Sequence, residues 1–418
     1  MAKEKLLLLK NIREANYKGD LDSYRKTGGF TALEKVLSAM KPEEVVEAVK
    51  DSGLRGRGGA GFPTGVKWGF MPKGTGKPAY LVCNADEAEP GTFKDHLLIN
   101  EDPFLFLEGM IMGCYAIACH HGYIYIRGES IKSAEHLQRA IDSLYKEGLL
   151  GKNIFNSGYD LEMTLHRGAG AYICGEETAL LESLEGKRGQ PRVKPPFPAV
   201  SGYNACPTTV NNVETLANLP FIINEGAEAF KALGTPNNSG THLVSISGHI
   251  NQPGVYEVEM GVTIRELIDD YAEGVRDGKK LKALIPGGAS SNVLTADEID
   301  IPYDFDSLMK AGTMMGSAAL MVFDEDTDIV ELAYRTIRFF NHESCGQCTP
   351  CREGTNWLKH MIRDFMDDNG NGPMLERVDR VAEGMIGTTL CPFGDAAGAP
   401  IRIFVAKYAA DFRNHFAQ

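Results

Sequence analysis

Three cysteines at two-residue gaps, in Ser344-Cys345-Gly-Gln-Cys348-Thr-Pro-Cys351, put three thiols around one tight loop. That spacing covers three corners of a cube, as four-iron iron–sulfur clusters require, with a fourth thiolate taken from elsewhere in the chain. Cys391, followed by Pro392, supplies it. Zinc is the alternative metal, although its structural sites favour two separated Cys-x-x-Cys or Cys/His pairs, and here there is one triplet and one singleton. The set supports one cluster. The other cysteines, Cys83, Cys114, Cys119, Cys174 and Cys206, fall on apolar strand or helix patterns where buried, inert thiols are expected; only Cys174 lies inside a glycine loop.

A second kind of chemistry is written in glycine. Gly53-Leu-Arg-Gly-Arg-Gly-Gly-Ala-Gly-Phe-Pro-Thr-Gly-Val-Lys-Trp-Gly-Phe70 holds seven glycines, two arginines and a lysine, and no acid occurs from Gly53 to Asn84 in a chain of net charge −13. Glycines let backbone N–H groups close on a ligand and form anion-binding concavities. Arg55, Arg57 and Lys67 add donors suited to phosphate, and Phe62, Trp68 and Phe70 add flat faces for a heterocycle. The stretch contains Gly56-x-Gly58-x-x-Gly61, formally the dinucleotide fingerprint. It follows a helical pattern rather than a strand, and Pro63 with further glycines delays the next helix. The plain alternative is a surface loop.

Arg167-Gly-Ala-Gly-Ala-Tyr-Ile-Cys-Gly-Glu-Glu177 leaves a strand and enters a helix, so Gly175 would present N–H groups at a helix N-terminus. Glu176 and Glu177 either complement the helix dipole or accept hydrogen bonds from an amide or from sugar hydroxyls. Asp86, Glu87 and Glu89, in Asn84-Ala-Asp-Glu-Ala-Glu-Pro-Gly91, carry the same two readings. His120-His121 reads as a cap on a helix C-terminus.

These residues need elements to hold them. A chain of 418 residues, 43% hydrophobic and 24% charged, is long enough for two to four domains with real cores. Its acidity argues against general nucleic-acid binding. Leu6 to Leu9 is too short an apolar run for a signal peptide, and nothing approaches a membrane span, so a soluble, cytosolic chain is expected, linked to a membrane only through partners. Thr31-x-x-Glu34 reads as a capping box, and Pro42-Glu-Glu opens a helix that Gly53 closes. A strand at 79–83, an apolar helix from Asp102-Pro103 to about His120, a strand at 123–127, a helix at 131–146, a strand at 161–165 and a helix at 177–185 alternate as in an α/β unit with a mostly parallel sheet. A loop with five prolines between Pro191 and Pro207 is too long to be an idle connection, and Asn211-Asn212 cap a helix with Glu214. Near Gly240 the pattern changes to a hairpin (242–247 with 255–259), a helix capped by Thr263-x-x-Glu266 and strands at 282–285 and 319–323. This is a small structural or docking domain. From Thr327 the periodicity is helical. The division is 1–240, 241–326 and 327–418.

Together, Gly53 to Gly65, Gly170 to Thr178 and Glu343 to Cys351 resemble the flavin-bearing, NADH-oxidising subunit of the proton-pumping NADH:quinone oxidoreductase, respiratory complex I, over almost the whole chain and in the right order. The resemblance implies a Rossmann-like α/β FMN domain with a parallel sheet, a ubiquitin-like (SLBB, β-grasp) domain and a C-terminal helical bundle holding a [4Fe–4S] cluster on Cys345, Cys348, Cys351 and Cys391. It implies non-covalent FMN contacted by Gly58, Lys67, Asn84, Asp86, Gly175, Glu176, Asn211 and Asn212. NADH would stack its adenine between Phe62 and Phe70, with Glu89, Glu177 and Lys194 near its sugars or nicotinamide and Glu177 as the candidate catalytic residue. Hydride transfer from NADH to FMN, then single electrons to the cluster and on toward quinone, is the implied activity, in which the protein supplies orientation and electrostatics. The implied partners are a thioredoxin-like [2Fe–2S] subunit and further complex I subunits, on the cytoplasmic side of the inner membrane in a peripheral arm. Diaphorase subunits of NAD-linked hydrogenases and formate dehydrogenases share the motifs and are the alternative. A non-enzymatic iron–sulfur or zinc protein would leave both glycine loops unexplained.

Overall fold

The computed structural model describes residues 4–416. Its first sheet has the order β3-β4-β2-β1-β5, with β1 Ala79–Ala85, β2 Cys119–Ile126, β3 Gly151–Ile154, β4 Tyr159–Arg167 and β5 Thr208–Asn212. The strands β4, β2, β1 and β5 pair in parallel, and the edge strand β3 is antiparallel to β4. Leu81, Val82 and Cys83 are all fully buried, the continuous apolar run of a strand covered on both faces. The chain runs from β1 outward through β2 to β4, then returns to add β5 on the other side of β1. That reversal opens a crevice at the carboxyl ends of β1 and β5, where Asn84 and Asn212 are paired neighbours.

The helix Pro103–Ala116 is apolar nearly all round and buried along most of its length. It lies so close to its neighbour that a Cβ at Gly109 would come within 1.9 Å of the Leu216 carbonyl oxygen. A small hairpin, β6 Gly234–Thr235 and β7 Asn238–Ser239, leads to a second sheet of order β11-β10-β12-β8-β9. Its strands are β8 Thr241–Gly248, β9 Gly254–Glu259, β10 Leu281–Ile285, β11 Leu294–Thr295 and β12 Ala319–Asp324. β8 and β9 pair in the hairpin read from the sequence, while β12 runs parallel to β8. The remaining helices, Ile329–Glu343, Thr349–Met366, Gly372–Met385, Phe393–Lys407 and Ala409–Asn414, form the C-terminal bundle.

Three expectations are corrected. The apolar helix stops at Ala116, so His120 and His121 lie on β2, where His120 bonds the Asp160 carbonyl and His121 the Thr164 hydroxyl. A helix, Thr64–Gly69, begins immediately after Pro63, because that proline fixes the turn into a helix rather than postponing one. Thr31 is the first helical residue and not a cap; Phe30 holds the cap position at φ 68° with no side-chain bond of its own.

What caps that helix is a carboxylate from another one. Glu108, fully buried on the apolar helix, accepts from Phe30 N at 2.8 Å, Leu33 N at 3.0 Å and the Tyr24 hydroxyl at 2.5 Å. Its loss would leave three buried donors without a partner. Glu108→Ala is therefore expected to lower unfolding free energy by about 2–4 kcal/mol, with Glu108→Gln losing less, as read from thermal or denaturant unfolding.

Candidate functional site

The crevice at the end of β1 and β5 is a cleft of about 350 Å³ whose walls come from all three regions of the chain. Gly58, Gly59, Asn84, Asp86, Gly175, Glu176 and Asn212 line one side; Gly287, Ser290 and Ser317, from the second sheet region, line another; Pro392 and Phe393, next to Cys391, close a third.

The glycines leave the space open. A Cβ at Gly58 would press on Asn212 Cβ at 3.0 Å, and one at Gly175 would project toward Asp86, whose nearest atoms are 3.8 Å away. Asn84 donates to the Gly175 carbonyl at 3.0 Å and joins the end of β1 to the second glycine loop. Asn212 caps the helix Val213–Ala217, accepting from Glu214 N and Thr215 N, and donates to Asp95 at 2.5 Å. Asn211 faces the other way and accepts from Trp68 Nε1 at 2.9 Å. Trp68 is thus a buried anchor and no platform for a heterocycle.

Two buried polar groups at the cleft have unfilled capacity. Arg57 donates through Nη2 to the Ser239 and Thr241 carbonyls, at 2.9 and 3.0 Å, while its Nε and Nη1 have no partner; burial lowers its pKa to about 10. Asp86 Oδ2 likewise has no partner. Burial pushes the Asp86 carboxyl up to about 7, with Arg127 opposing and Glu129 and Glu343 adding to the rise. Arg55, by contrast, is spent on structure: it bonds Gly61 O, Asn238 and Asp306 and lies over the Phe305 ring.

The carboxylates resolve into different jobs. Glu176 caps the helix Glu177–Leu184 through Thr178 N and Ala179 N, so the dipole-complementing reading holds for it. Glu177 lies between Lys67 Nζ at 3.1 Å and Lys194 Nζ at 2.9 Å, and Lys194 also reaches Glu176 at 3.0 Å. Glu87 accepts from Asp95 N, His96 N and the His96 ring, fixing the start of the helix Lys94–Glu101. Glu89 lines the cleft, but both its oxygens are taken, by Ser290 and by the Tyr172 hydroxyl. Lys67, Asn211, Glu177, Lys194, Phe62 and Phe70 stand outside the cleft lining. The two phenylalanine rings form no slot: their centroids are 6.1 Å apart, tilted by 48° and touching, with 47% and 58% of their surfaces exposed. They must part before a base can enter between them.

Arg57, read from the sequence as a phosphate donor, lines the cleft, whereas Lys94, Asp95, Tyr172 and the second sheet's contribution were missed and had no local signal.

Cys345 follows the helix Ile329–Glu343, Cys348 precedes the helix Thr349–Met366, Cys351 sits in that helix's first turn, and Cys391 precedes the helix Phe393–Lys407. All four cysteines lie in or against one core cluster, and burial pushes the Cys351 thiol up to about 11, with the Ser344 hydroxyl opposing, and the Cys391 thiol up to about 12. Tetrahedral zinc would draw its sulfurs to about 3.8 Å from one another. Among the described residues no three Cys, His, Asp or Glu side chains converge on a single-ion site. All nine cysteines are free thiols; Cys206 is half-buried, unlike the four other non-cluster thiols.

The cluster loop is tied to the cleft. Arg188 and Gln190, just before the proline-rich loop, donate to the Cys345 carbonyl, Glu343 accepts from Tyr172 N at 3.0 Å, and Tyr172 packs edge-on against Phe339 and Phe393.

Residues 49–221 match the family described as the Nuo51 FMN-binding domain, residues 242–331 the SLBB domain and residues 331–415 the NADH-ubiquinone oxidoreductase-F iron-sulfur binding region. The chain is 48% identical over 398 residues to the second F-subunit of the NADH-quinone oxidoreductase of Rhizobium meliloti (strain 1021), covering 95% of this chain and 94% of that protein. It is 48% identical over 395 residues to the F-subunit of the NADH-quinone oxidoreductase of Streptomyces coelicolor, covering 94% and 88%. Among solved structures it is similar to the NAD+-reducing [NiFe]-hydrogenase in the H2-reduced state, with TM-score 0.84 and 37% identity, over 92% of this chain and 64% of that one. The air-oxidized state gives TM-score 0.85 and 35% identity, over 99% and 67%. The chain therefore spans about two thirds of that hydrogenase chain.

The Asp86 pKa carries a sign that can be tested. A carboxyl at about 7 in the folded chain against 3.8 unfolded keeps a proton that the unfolded chain releases, so this group's contribution to stability falls as pH rises from about 4 to about 7 and is flat above. In the ligand-free protein, Asp86→Asn should gain thermal stability over the parent at pH 8, and the difference should shrink at pH 5.

Proposed function

Because this chain belongs to the F-subunit family of NADH-quinone oxidoreductases, we propose that its cleft is where NADH delivers electrons to FMN and that Cys345, Cys348, Cys351 and Cys391 hold the [4Fe–4S] cluster that takes them on. The chain is an NADH dehydrogenase subunit and works with other subunits of its complex. The observation that carries the assignment of the site is a cleft shared by both glycine loops and by the residues flanking Cys391.

The chain's groups fit FMN. Arg57 Nε and Nη1 are buried donors without a partner, the chemistry an anionic ligand satisfies, and Asp86 Oδ2 is a free position for a ring N–H or a hydroxyl. Gly58 and Gly175 leave backbone room, and Asn84 and Asn212 fix the two loops that border it. When bound, FMN accepts the two electrons of a hydride and the cluster accepts electrons singly. The residues' part is to hold the reactants together in a site that excludes water. Lys67 and Asn211 stand behind the cleft as supports. Glu177, balanced between Lys67 and Lys194, offers a carboxylate to the sugar or nicotinamide of NADH, and the two lysines keep it ionised; burial alone would do the reverse. Phe62 and Phe70 are the adenine platform, opened by the incoming base. Tyr172 and Phe393 occupy the ground between the cleft and Cys391.

The partner that receives electrons is a thioredoxin-like [2Fe–2S] subunit, and the chain sits in a peripheral arm on the cytoplasmic side of the inner membrane. Both readings rest on the family; among the described residues no helix is long and apolar enough to cross a membrane. A diaphorase role in a hydrogenase is the second reading, supported by the structural likeness. The 48% identity to an oxidoreductase F-subunit, against 37% to the hydrogenase chain, favours the first.

The test is the visible spectrum of the anaerobic protein before and after NADH. Flavin and iron–sulfur absorbance should both fall in the wild type. Cys391→Ala should lose the iron–sulfur absorbance and keep flavin that NADH still bleaches. Flavin that NADH leaves unbleached in the wild type would contradict the assignment.

A further inference from the structure

Between β1 and the helix Lys94–Glu101, Glu89 and Thr92 line the cleft, and the stretch from Glu89 to Phe93 makes contacts with the second sheet region. Glu89 Oε1 accepts from Ser290 N at 2.7 Å and Ser290 Oγ at 2.5 Å. The Thr92 hydroxyl meets the Ser317 hydroxyl at 2.5 Å, and Phe93 N donates to Ser245 Oγ at 3.1 Å. Both surfaces carry glycine where they meet. A Cβ at Gly288, where φ is +90°, would stand 2.4 Å from Glu89 Cγ, and one at Gly91, where φ is +93°, would stand 2.8 Å from Met321 Sδ. The approach is close enough that neither Gly288 nor Gly91 has room for a side chain.

We propose that Ser290 is a positioning residue for NADH oxidation: with its own N–H and hydroxyl it holds the Glu89 carboxylate in one orientation on the cleft wall, so that the second sheet region completes the nucleotide side of the site. This rests on the reading of the cleft as the NADH site. Ser290 acts through Glu89 and need not touch the nucleotide. Tyr172, whose hydroxyl bonds the other Glu89 oxygen at 2.5 Å and lies 3.4 Å from Ser290 Oγ, fixes one side of that carboxylate. Without the Ser290 hydroxyl the carboxylate keeps the Ser290 N–H on Oε1 and the Tyr172 hydroxyl on Oε2, enough to fold against but a weaker hold on its orientation toward the cleft. The binding energy of NADH must then restore the orientation, which appears in KM rather than in the chemical step.

The experiment compares wild type, Ser290→Ala, Glu89→Gln and the double variant in the assembled, flavin-loaded enzyme, with ferricyanide as acceptor. Ser290→Ala should raise KM for NADH about tenfold, the effect of one charge-assisted hydrogen bond, and leave kcat within about twofold and flavin content unchanged. In the Glu89→Gln background the same substitution should change KM by less than about twofold, because the carboxylate it positions is gone. An unchanged KM in Ser290→Ala overturns the proposal. So does a tenfold rise that persists in the Glu89→Gln background, which would mean that Ser290 acts directly or by general destabilisation. If Ser290→Ala sheds flavin, Ser290→Thr, which retains the hydroxyl, must restore wild-type flavin content and KM; loss in both variants overturns the proposal. Failure of the wild type to oxidise NADH would refute the site assignment instead, and is seen before any variant is made.

Discussion

A lysine with 1% of its side chain exposed sits beneath the cleft, and its charge cannot stay there alone. Removing an ammonium from water costs several kcal/mol unless carboxylates and hydrogen bonds replace the lost solvation. Lys94 has two carboxylates, Asp95 at 2.8 Å and Glu214 at 2.7 Å. Each ties it to a different part of the fold. Asp95 accepts from Asn212, the residue against which Gly58 packs, so the pair sets the first glycine loop at the end of β5. Glu214 accepts from Leu243 N on β8 and faces His242, so the same ion pair fastens the first sheet to the second. Burial lowers the His242 pKa to about 4, so its ring is neutral at pH 7 and Lys94 is the cation that Glu214 needs. The crevice between β1 and β5 exists as a shaped cleft because these groups cannot separate without stranding a buried charge.

The division of labour follows from that constraint. Parallel strands bring Asn84, Asp86, Gly175 and Asn212 to one edge, and the second sheet supplies Ser290 and Ser317 to the opposite wall. The helical bundle brings Phe393 to the third side and Cys391 directly behind it. Tyr172 and Phe393 stand at the cleft wall beside the cysteine loop, which Arg188 and Gln190 from the first region hold. Orientation, and not a proton-transferring triad, is what the residues provide.

Much of this was legible in the sequence because the informative residues were locally patterned. The cysteine spacing, the glycine density and the change of periodicity near 240 each depend on neighbours a few positions away. The helix Ile131–Lys146, the hairpin of β8 and β9 and the cap by Asn212 follow from such patterns. What stayed hidden depends on partners far along the chain. Nothing in Thr-Phe-Lys94-Asp95 announces a buried ion pair, because the partner Glu214 is 120 residues away. The bond from Ser290 to Glu89 was hidden because Ser290 belongs to another sheet. Thr31 and Glu34 formed a plausible capping box, yet Glu108 took the role, since a tertiary carboxylate was already buried beside the helix start. Phe62 and Phe70 were expected on either side of an adenine, but spacing in sequence could not reveal that the two rings lie against each other in this structure.

The central claim is that electrons reach the cysteine cluster only through the flavin in this cleft. It is tested most directly by removing FMN from the purified protein while its iron–sulfur absorbance is retained, then mixing with NADH under anaerobic conditions. The account predicts no bleaching of the cluster until FMN is restored, followed by bleaching at the original rate. Cluster reduction by NADH at an undiminished rate in the flavin-free protein would contradict it.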